Sequence, residues 1–151
     1  MREYGSPVRT MTYQRKIRYS DTDAQGIVFN ANYLRYLDDA VTDLFEAMGL
    51  TSAVLTSRGL DWVVGRTEID HRSPARLGET LNTEVFVSGR GTTSFTIDGR
   101  IRETGGDRAV ADTHQIHVVI DAETLRPAPV PSFVFEAIET FQGERVPERQ
   151  R

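Results

Sequence analysis

Two aspartates one residue apart, Asp21 and Asp23, begin the most chemically suggestive stretch of the chain, YSDTDAQGIVFNANYLRY from Tyr19 to Tyr36. They stand in a polar turn that passes through Gly26 into the apolar step Ile27-Val28-Phe29 and then into a segment of helical periodicity. A carboxylate beside a helix start is well placed for chemistry. The first N–H groups of a helix have no partner inside it, and they favour negative charge that develops nearby. The carboxylate can act as nucleophile or base, while the amide can hold an oxygen that becomes anionic. The competing reading is that both aspartates serve only to shape the turn through hydrogen bonds to nearby amides.

Other candidates carry less. Asp21-x-Asp23-x-Gln25-Gly26 imitates the opening of a calcium loop, but position twelve is Asn32 instead of a bidentate Glu, and the residues before Asp21 read as strand. His114 and His117 are three apart in a strand-like run, so they point to opposite faces and no shared metal is expected. His71 stands alone. Ser94 has no His/Asp set that would make a triad.

The elements that must position the turn are readable from periodicity. Tyr13 to Tyr19 reads as a first strand. Leu34, Leu37, Val41, Leu44, Phe45 and Met48 recur at three- and four-residue steps and predict one long amphipathic helix. Asn30 or Asn32 is suited to cap its start, and Gly49 to end it in the left-handed conformation. The pattern then changes to period two. Strands are predicted over Trp62 to His71, Thr80 to Val87, Ser94 to Arg102 and Ala109 to Ile120, with turns at Gly89-Arg90-Gly91 and Gly105-Gly106-Asp107. A short final helix is expected between Val130 and Phe141. A sheet with one apolar face and a helix with one apolar stripe should pack together, which gives an α+β class.

Composition bounds the function. The chain has 151 residues, enough for one domain and short for two. A net charge of −4 argues against general nucleic-acid binding. The absence of cysteine excludes disulfides, thiolate catalysis and Cys-type zinc sites. No apolar run approaches the ~20 residues of a membrane span, so no membrane insertion is expected. MREYGSPVRT shows no signal-peptide core, which makes the cytoplasm the default compartment. Residues 1–11 and the charged tail 143–151 lack periodicity and are expected to be mobile ends of a single domain over 12–142.

Taken together, Tyr19 to Phe29, then Asn32-Tyr33-Leu34-Arg35-Tyr36, then a helix ending at Gly49 resemble the hotdog-fold thioesterases of the 4-hydroxybenzoyl-CoA type. The likeness continues in DHRSPARLGETL (Asp70 to Leu81) and GRGTTSF (Gly89 to Phe95), and covers roughly residues 12 to 121. The resemblance implies an antiparallel sheet wrapped around one long helix. It also implies acyl-CoA as substrate, no cofactor or metal, and a homodimer or homotetramer with the site at the subunit interface. The family's catalytic aspartate matches Asp23, and its oxyanion donor falls at the backbone amide of Asn30. Some members carry His where this chain has Asn30, which leaves Asp23 more nearly alone. Arg90 matches a region that the family uses near the nucleotide of CoA, with Arg72 and Arg76 as weaker candidates and a solvated turn arginine as the alternative. Phe29, Tyr33 and Trp62 are candidates to line an acyl pocket, or else are simply core. The rival readings are a thioesterase for acyl groups on a carrier protein and a non-catalytic acyl-CoA-binding module on the same fold. The acidic chain offers little basic surface to an acidic carrier, which favours CoA.

Overall fold

Tyr33, Tyr36, Leu37, Ala40, Val41 and Leu44 form the buried stripe of α1 (Asn32–Ala47) in the computed structural model, which describes residues 8–149. Leu37, Ala40 and Leu44 are wholly inaccessible. Burying one such leucine stabilises the fold by roughly 1.5–3 kcal/mol. Leu34, expected on the stripe, lies at its margin and is exposed. Gly49 follows the helix at φ +70°, the left-handed conformation expected of it. The expected side-chain cap is absent. Ala31 occupies the cap position, and Asn32 Nδ2 instead donates to the Asp21 carbonyl at 2.9 Å. Neither Asn30 nor Asn32 caps α1; Asn32 ties the helix to the preceding turn instead.

Five antiparallel strands curve over α1: β1 (Met11–Lys16), β2 (Leu60–His71), β3 (Thr80–Arg90), β4 (Ser94–Glu103) and β5 (Arg108–Asp121). The sheet order is β1-β3-β4-β5-β2. The predicted meander holds for β3, β4 and β5. β2 docks on the far side of β5, so the connection 72–79 must cross from that edge of the sheet to β3, the strand next to the opposite edge. It is anchored at both ends, by Arg72 N–H to Val110 O (2.8 Å) and Gly78 N–H to Ile17 O (3.0 Å). Two shorter helices complete the chain, α2 (Ser52–Thr56), which periodicity did not reveal, and α3 (Ser132–Gln142). No helix among the described residues is long and apolar enough to cross a membrane.

β2 contains one irregularity. Its register on β5 shifts between Val64 and Arg66, leaving Gly65 unpaired as a bulge. Before the bulge Trp62 faces α1, where its ring lies 4.4 Å from that of Phe45. After it the odd-numbered residues face α1: Thr67 pairs with Gln115 and His71 meets the Tyr33 ring at 5.6 Å. A bulge reverses the alternation of a strand, because side chains change face with every residue.

Of the polar ends expected to be mobile, residues 1–7 and 150–151 lie outside the described residues, and the rest is tied to the domain by main-chain bonds. Arg9 N–H donates to Gln142 O at 3.2 Å, and Met11 already opens β1. After α3, Val146 is buried, and Arg90 N–H donates to Pro147 O while Arg149 N–H donates to Arg90 O, both at 2.9 Å. Main-chain pairing needs no side-chain period, so the pattern could not announce it.

Candidate active site

The Asp21–Asp23 turn is built by main-chain bonds. Asp23 N–H donates to Ile27 O (2.9 Å) and Gly26 N–H to Asp23 O (3.0 Å), with Gly26 at φ +73° closing the reversal. The crossover segment supports it from below: Val28 N–H donates to Ala75 O at 2.8 Å, and Ile27 bridges to Arg76. The Asp21 carbonyl accepts from both Phe29 N–H (2.9 Å) and Asn32 Nδ2 (2.9 Å). The turn and the start of α1 are thereby held as one unit.

The two carboxylates have opposite situations. Asp21 is 2% exposed. Its Oδ1 accepts from Arg15 Nη2 at 2.7 Å and Nε at 3.2 Å, and its Oδ2 from Arg18 N–H at 2.8 Å. Burial alone would raise its pKa, but the Arg18 amide and the Arg15 guanidinium outweigh that and hold it below the ordinary range. The Tyr36 hydroxyl is buried against this pair, and burial together with the Asp21 carboxylate pushes its pKa up. Asp21 is therefore occupied in holding the turn to β1. Asp23 is half-exposed. Its Oδ1 accepts from Gln25 N–H at 2.8 Å, and no donor among the described residues reaches its Oδ2. One oxygen orients the group and the other is open.

The amides of Asn30 and Ala31, immediately before α1, have no acceptor among the described residues. They are exposed, at the positive end of the helix dipole. Phe29 stands beside them, 48% exposed. Of the three aromatic candidates it is the one open at the turn. Tyr33 is buried, its hydroxyl accepting from Ala75 N–H at 3.2 Å. Trp62 packs on Phe45, twelve residues further along α1 than Tyr33 or about 18 Å. Tyr33 is a core residue, and Trp62 is half-buried against the core.

Arg90 ends β3 instead of standing in the expected Gly89-Arg90-Gly91 turn. Its guanidinium lies 4.1 Å from the Phe135 ring centre and within 3.5 Å and 3.6 Å of Glu139 and Glu148. Arg72 pairs with Asp112 at 3.0 Å. Arg76 is exposed, its guanidinium has no acceptor among the described residues, and its backbone bridges Ile27 in the turn itself. His114 faces Asp98 on the outer side of the sheet, while His117 stacks on Phe95 on the inner side, so the two point apart as their spacing implied.

An open cleft of about 370 Å³ runs beside α1, between Leu34, Arg35, Asp38 and Asp39 on the helix and Thr67 and Gln115 on the sheet. Sequence reading had passed over both sheet residues. Their signal was present: on β5 the core-facing positions Thr113, Gln115 and His117 are polar, where a strand packed on a helix should be apolar.

A curved antiparallel sheet enclosing one long helix, with an open carboxylate at the helix start, defines a hotdog-fold protein of the thioesterase class. The Thioesterase-like superfamily matches residues 17–138, and the chain belongs to that family. A 1,4-dihydroxy-2-naphthoyl-CoA hydrolase of Synechococcus elongatus is 30% identical over 121 residues, 79% of this chain and 88% of that protein. The acyl-CoA thioester hydrolase YbgC of Escherichia coli is 23% identical over 120 residues, again 79% of this chain and 88% of that protein. Among solved structures, a 1,4-dihydroxy-2-naphthoyl-CoA thioesterase from Synechocystis shares the fold with a TM-score of 0.78 at 24% identity, covering 86% of this chain and 96% of that one.

Proposed function

We propose that this chain hydrolyses an acyl-CoA thioester to the free acid and CoA, with Asp23 as the reacting carboxylate and the Asn30 amide as oxyanion donor. The observation that supports this most is the contrast between the two aspartates: Asp21 has both oxygens engaged, whereas Asp23 presents an oriented carboxylate with an unengaged Oδ2 in the turn that leads to unpaired helix-start amides. Asp23 Oδ2 either attacks the carbonyl carbon, forming an anhydride that water opens, or takes a proton from the attacking water. In both routes the carbonyl oxygen becomes anionic and is held by the Asn30 N–H, and the thiolate of CoA departs. CoA, in preference to a carrier protein, is supported by the two relatives named for CoA thioesters. Arg76, with its free guanidinium beside the turn, takes the phosphate-contact role that the sequence had suggested for Arg90. The chain acts as a homodimer or homotetramer, because β2 is a sheet edge carrying Val63 and Val64 at 46% and 49% exposure.

Paired substitutions test the assignment. Asp23→Asn should lower kcat for acyl-CoA by ~100-fold or more while the fold is retained. Asp21→Asn should cost about 3 kcal/mol in urea denaturation, because it strips Arg15 of its buried partner. Near wild-type turnover in Asp23→Asn would remove the carboxylate from the mechanism.

A further inference from the structure

The crossover segment between β2 and β3 has no regular structure, yet every main-chain N–H and C=O from Pro74 to Arg76 is paired. Ala75 N–H donates to the Tyr33 hydroxyl at 3.2 Å, and Arg76 N–H to Glu79 Oε2 at 2.8 Å. Ala75 O accepts from Val28 N–H at 2.8 Å, and Arg76 O from Glu79 N–H at 3.1 Å. The remaining carbonyl, that of Pro74, is taken by a side chain of β5: Arg108 Nη1 donates to it at 2.8 Å. The same nitrogen donates to Ser73 Oγ at 2.7 Å, and Nη2 donates to both carboxylate oxygens of Glu79 at 2.9 Å. One guanidinium therefore ties both ends of the stretch 73–79 together. Ser73 returns the bond to β5 by donating to Ala109 O at 2.6 Å.

The side chains of Arg108 and Glu79 are 37% and 29% exposed, and an ion pair so open contributes little to global stability. Its effect is local. Four bonds from one guanidinium to three residues of a single loop leave that loop little freedom. The other side of the loop carries the candidate site. Ala75 and Arg76 support Val28 and Ile27, and Ile27 O receives Asp23 N–H. Ile27-Val28-Phe29 then runs from the Asp23 turn to the Asn30 amide. The Tyr33 hydroxyl marks the meeting point: burial raises its pKa, and the charges that it feels include Arg108, Glu79 and Asp23. A carboxylate and an oxyanion donor at the two ends of so short a spacer keep their separation only while the spacer is held. Displacing one of them by ~1 Å costs on the order of 100-fold in rate.

We infer that Arg108 is a positioning residue: through Ser73, Pro74 and Glu79 it fixes the crossover segment, and the segment fixes the spacing between the Asp23 carboxylate and the Asn30 amide; this rests on the thioesterase reading above. Arg108 acts through these residues and not on the substrate. Lysine in its place would keep the charge and lose the fork, because an ammonium is a point donor.

The test sets kcat against KM in Arg108→Lys and in Glu79→Gln, using whichever of benzoyl-CoA, 4-hydroxybenzoyl-CoA and hexanoyl-CoA the intact protein hydrolyses fastest. Both variants should lose ~10-fold or more in kcat, with KM within about two-fold of the intact protein. Amide exchange read by NMR supplies the second measurement. The Val28 N–H should exchange ~10-fold faster or more in both variants, and the Ala40 N–H in the middle of α1 should be unmoved. Arg102→Ala is the control: it breaks the ion pair to Asp107, whose bonds stay within the β4–β5 hairpin, and should change neither reading. Glu79→Gln is isosteric and half-buried, so it keeps the test decisive if Arg108→Lys folds poorly. Faster exchange with kcat intact would reduce the clamp to a structural tie. A rise in KM alone would make Arg108 a substrate contact, and a fall in kcat without faster exchange at Val28 would break the link through the segment. Each of these results, or no change in either reading, overturns the inference while leaving thioesterase activity standing. If none of the three esters is hydrolysed by the intact protein, the thioesterase reading fails instead, and Val28 exchange alone then decides whether Arg108 holds the turn.

Discussion

Acidification from pH 7 to pH 5 puts the inner face of the sheet to a quantitative test through His117. The ring is 4% exposed, stacked on Phe95 at 5.4 Å and edge-on to Phe45 at 5.5 Å. Its Nδ1 has no partner among the described residues, and Nε2 faces Gln115 Oε1, so the neutral ring carries its proton on Nε2. Burial pushes its pKa down to about 4, from an ordinary 6.5. The unfolded chain therefore takes up a proton as pH falls through about 6.5, and the folded chain does so only near pH 4. The contribution of the neutral ring is complete above pH 6.5 and is lost as pH falls toward 4. At ~1.4 kcal/mol per pH unit the gap amounts to about 3 kcal/mol, of which about 2 kcal/mol has gone by pH 5. For a chain of this length that is a fall in Tm of roughly 4–8 °C. Scanning calorimetry at pH 7, 6 and 5 should show this slope in the intact protein and a shallower one in His117→Phe, which keeps an aromatic ring against Phe95 and cannot titrate. Equal slopes in the two proteins would refute a buried neutral imidazole.

Two further expectations concern surfaces. Arg76→Ala should raise KM for acyl-CoA several-fold and leave kcat largely intact, whereas a truncated acyl thioester without the nucleotide should barely respond. Arg90→Ala should instead cost about 1 kcal/mol in chemical denaturation through its lost ring and tail contacts, with KM unmoved. The reverse pattern would return the phosphate contact to Arg90. Sedimentation velocity at micromolar concentration should show a dimer or tetramer, and an active species of one chain mass would rule out a site that depends on pairing.

Much of this was legible in the sequence because it is written in periods and in turn chemistry. The stripe from Leu37 to Met48, the alternation of β3 to β5 and the glycines at 26 and 49 each follow from local backbone rules. The turn carrying Asp23 was legible for the same reason. What escaped depends on partners distant along the chain. Arg90 looks free in a Gly-Arg-Gly context, and only the return of residues 146–149 to β3 explains why it is not. Asn32 looks like a cap until the Asp21 carbonyl is brought to it. Tyr33 looks like a pocket residue until the crossover places Ala75 N–H against its hydroxyl. The polar lining of the cleft was hidden in a different way. Thr67 and Gln115 lie on separate strands, and their pairing depends on a register that alternation alone assigns incorrectly once a bulge intervenes.

That bulge decides which changes of length the lining of the cleft can absorb. Upstream of Gly65 the residues turned toward α1 are even-numbered, and downstream they are odd. Gly65 is the extra residue: with it deleted, Val64 opposite His117 and Arg66 opposite Ile116 become consecutive, ordinary alternation is restored, and Thr67, Ile69 and His71 still face α1. A one-codon loss at this place in the edge strand is therefore silent for the lining, and related chains that lack a residue here should keep the same wall beside the helix.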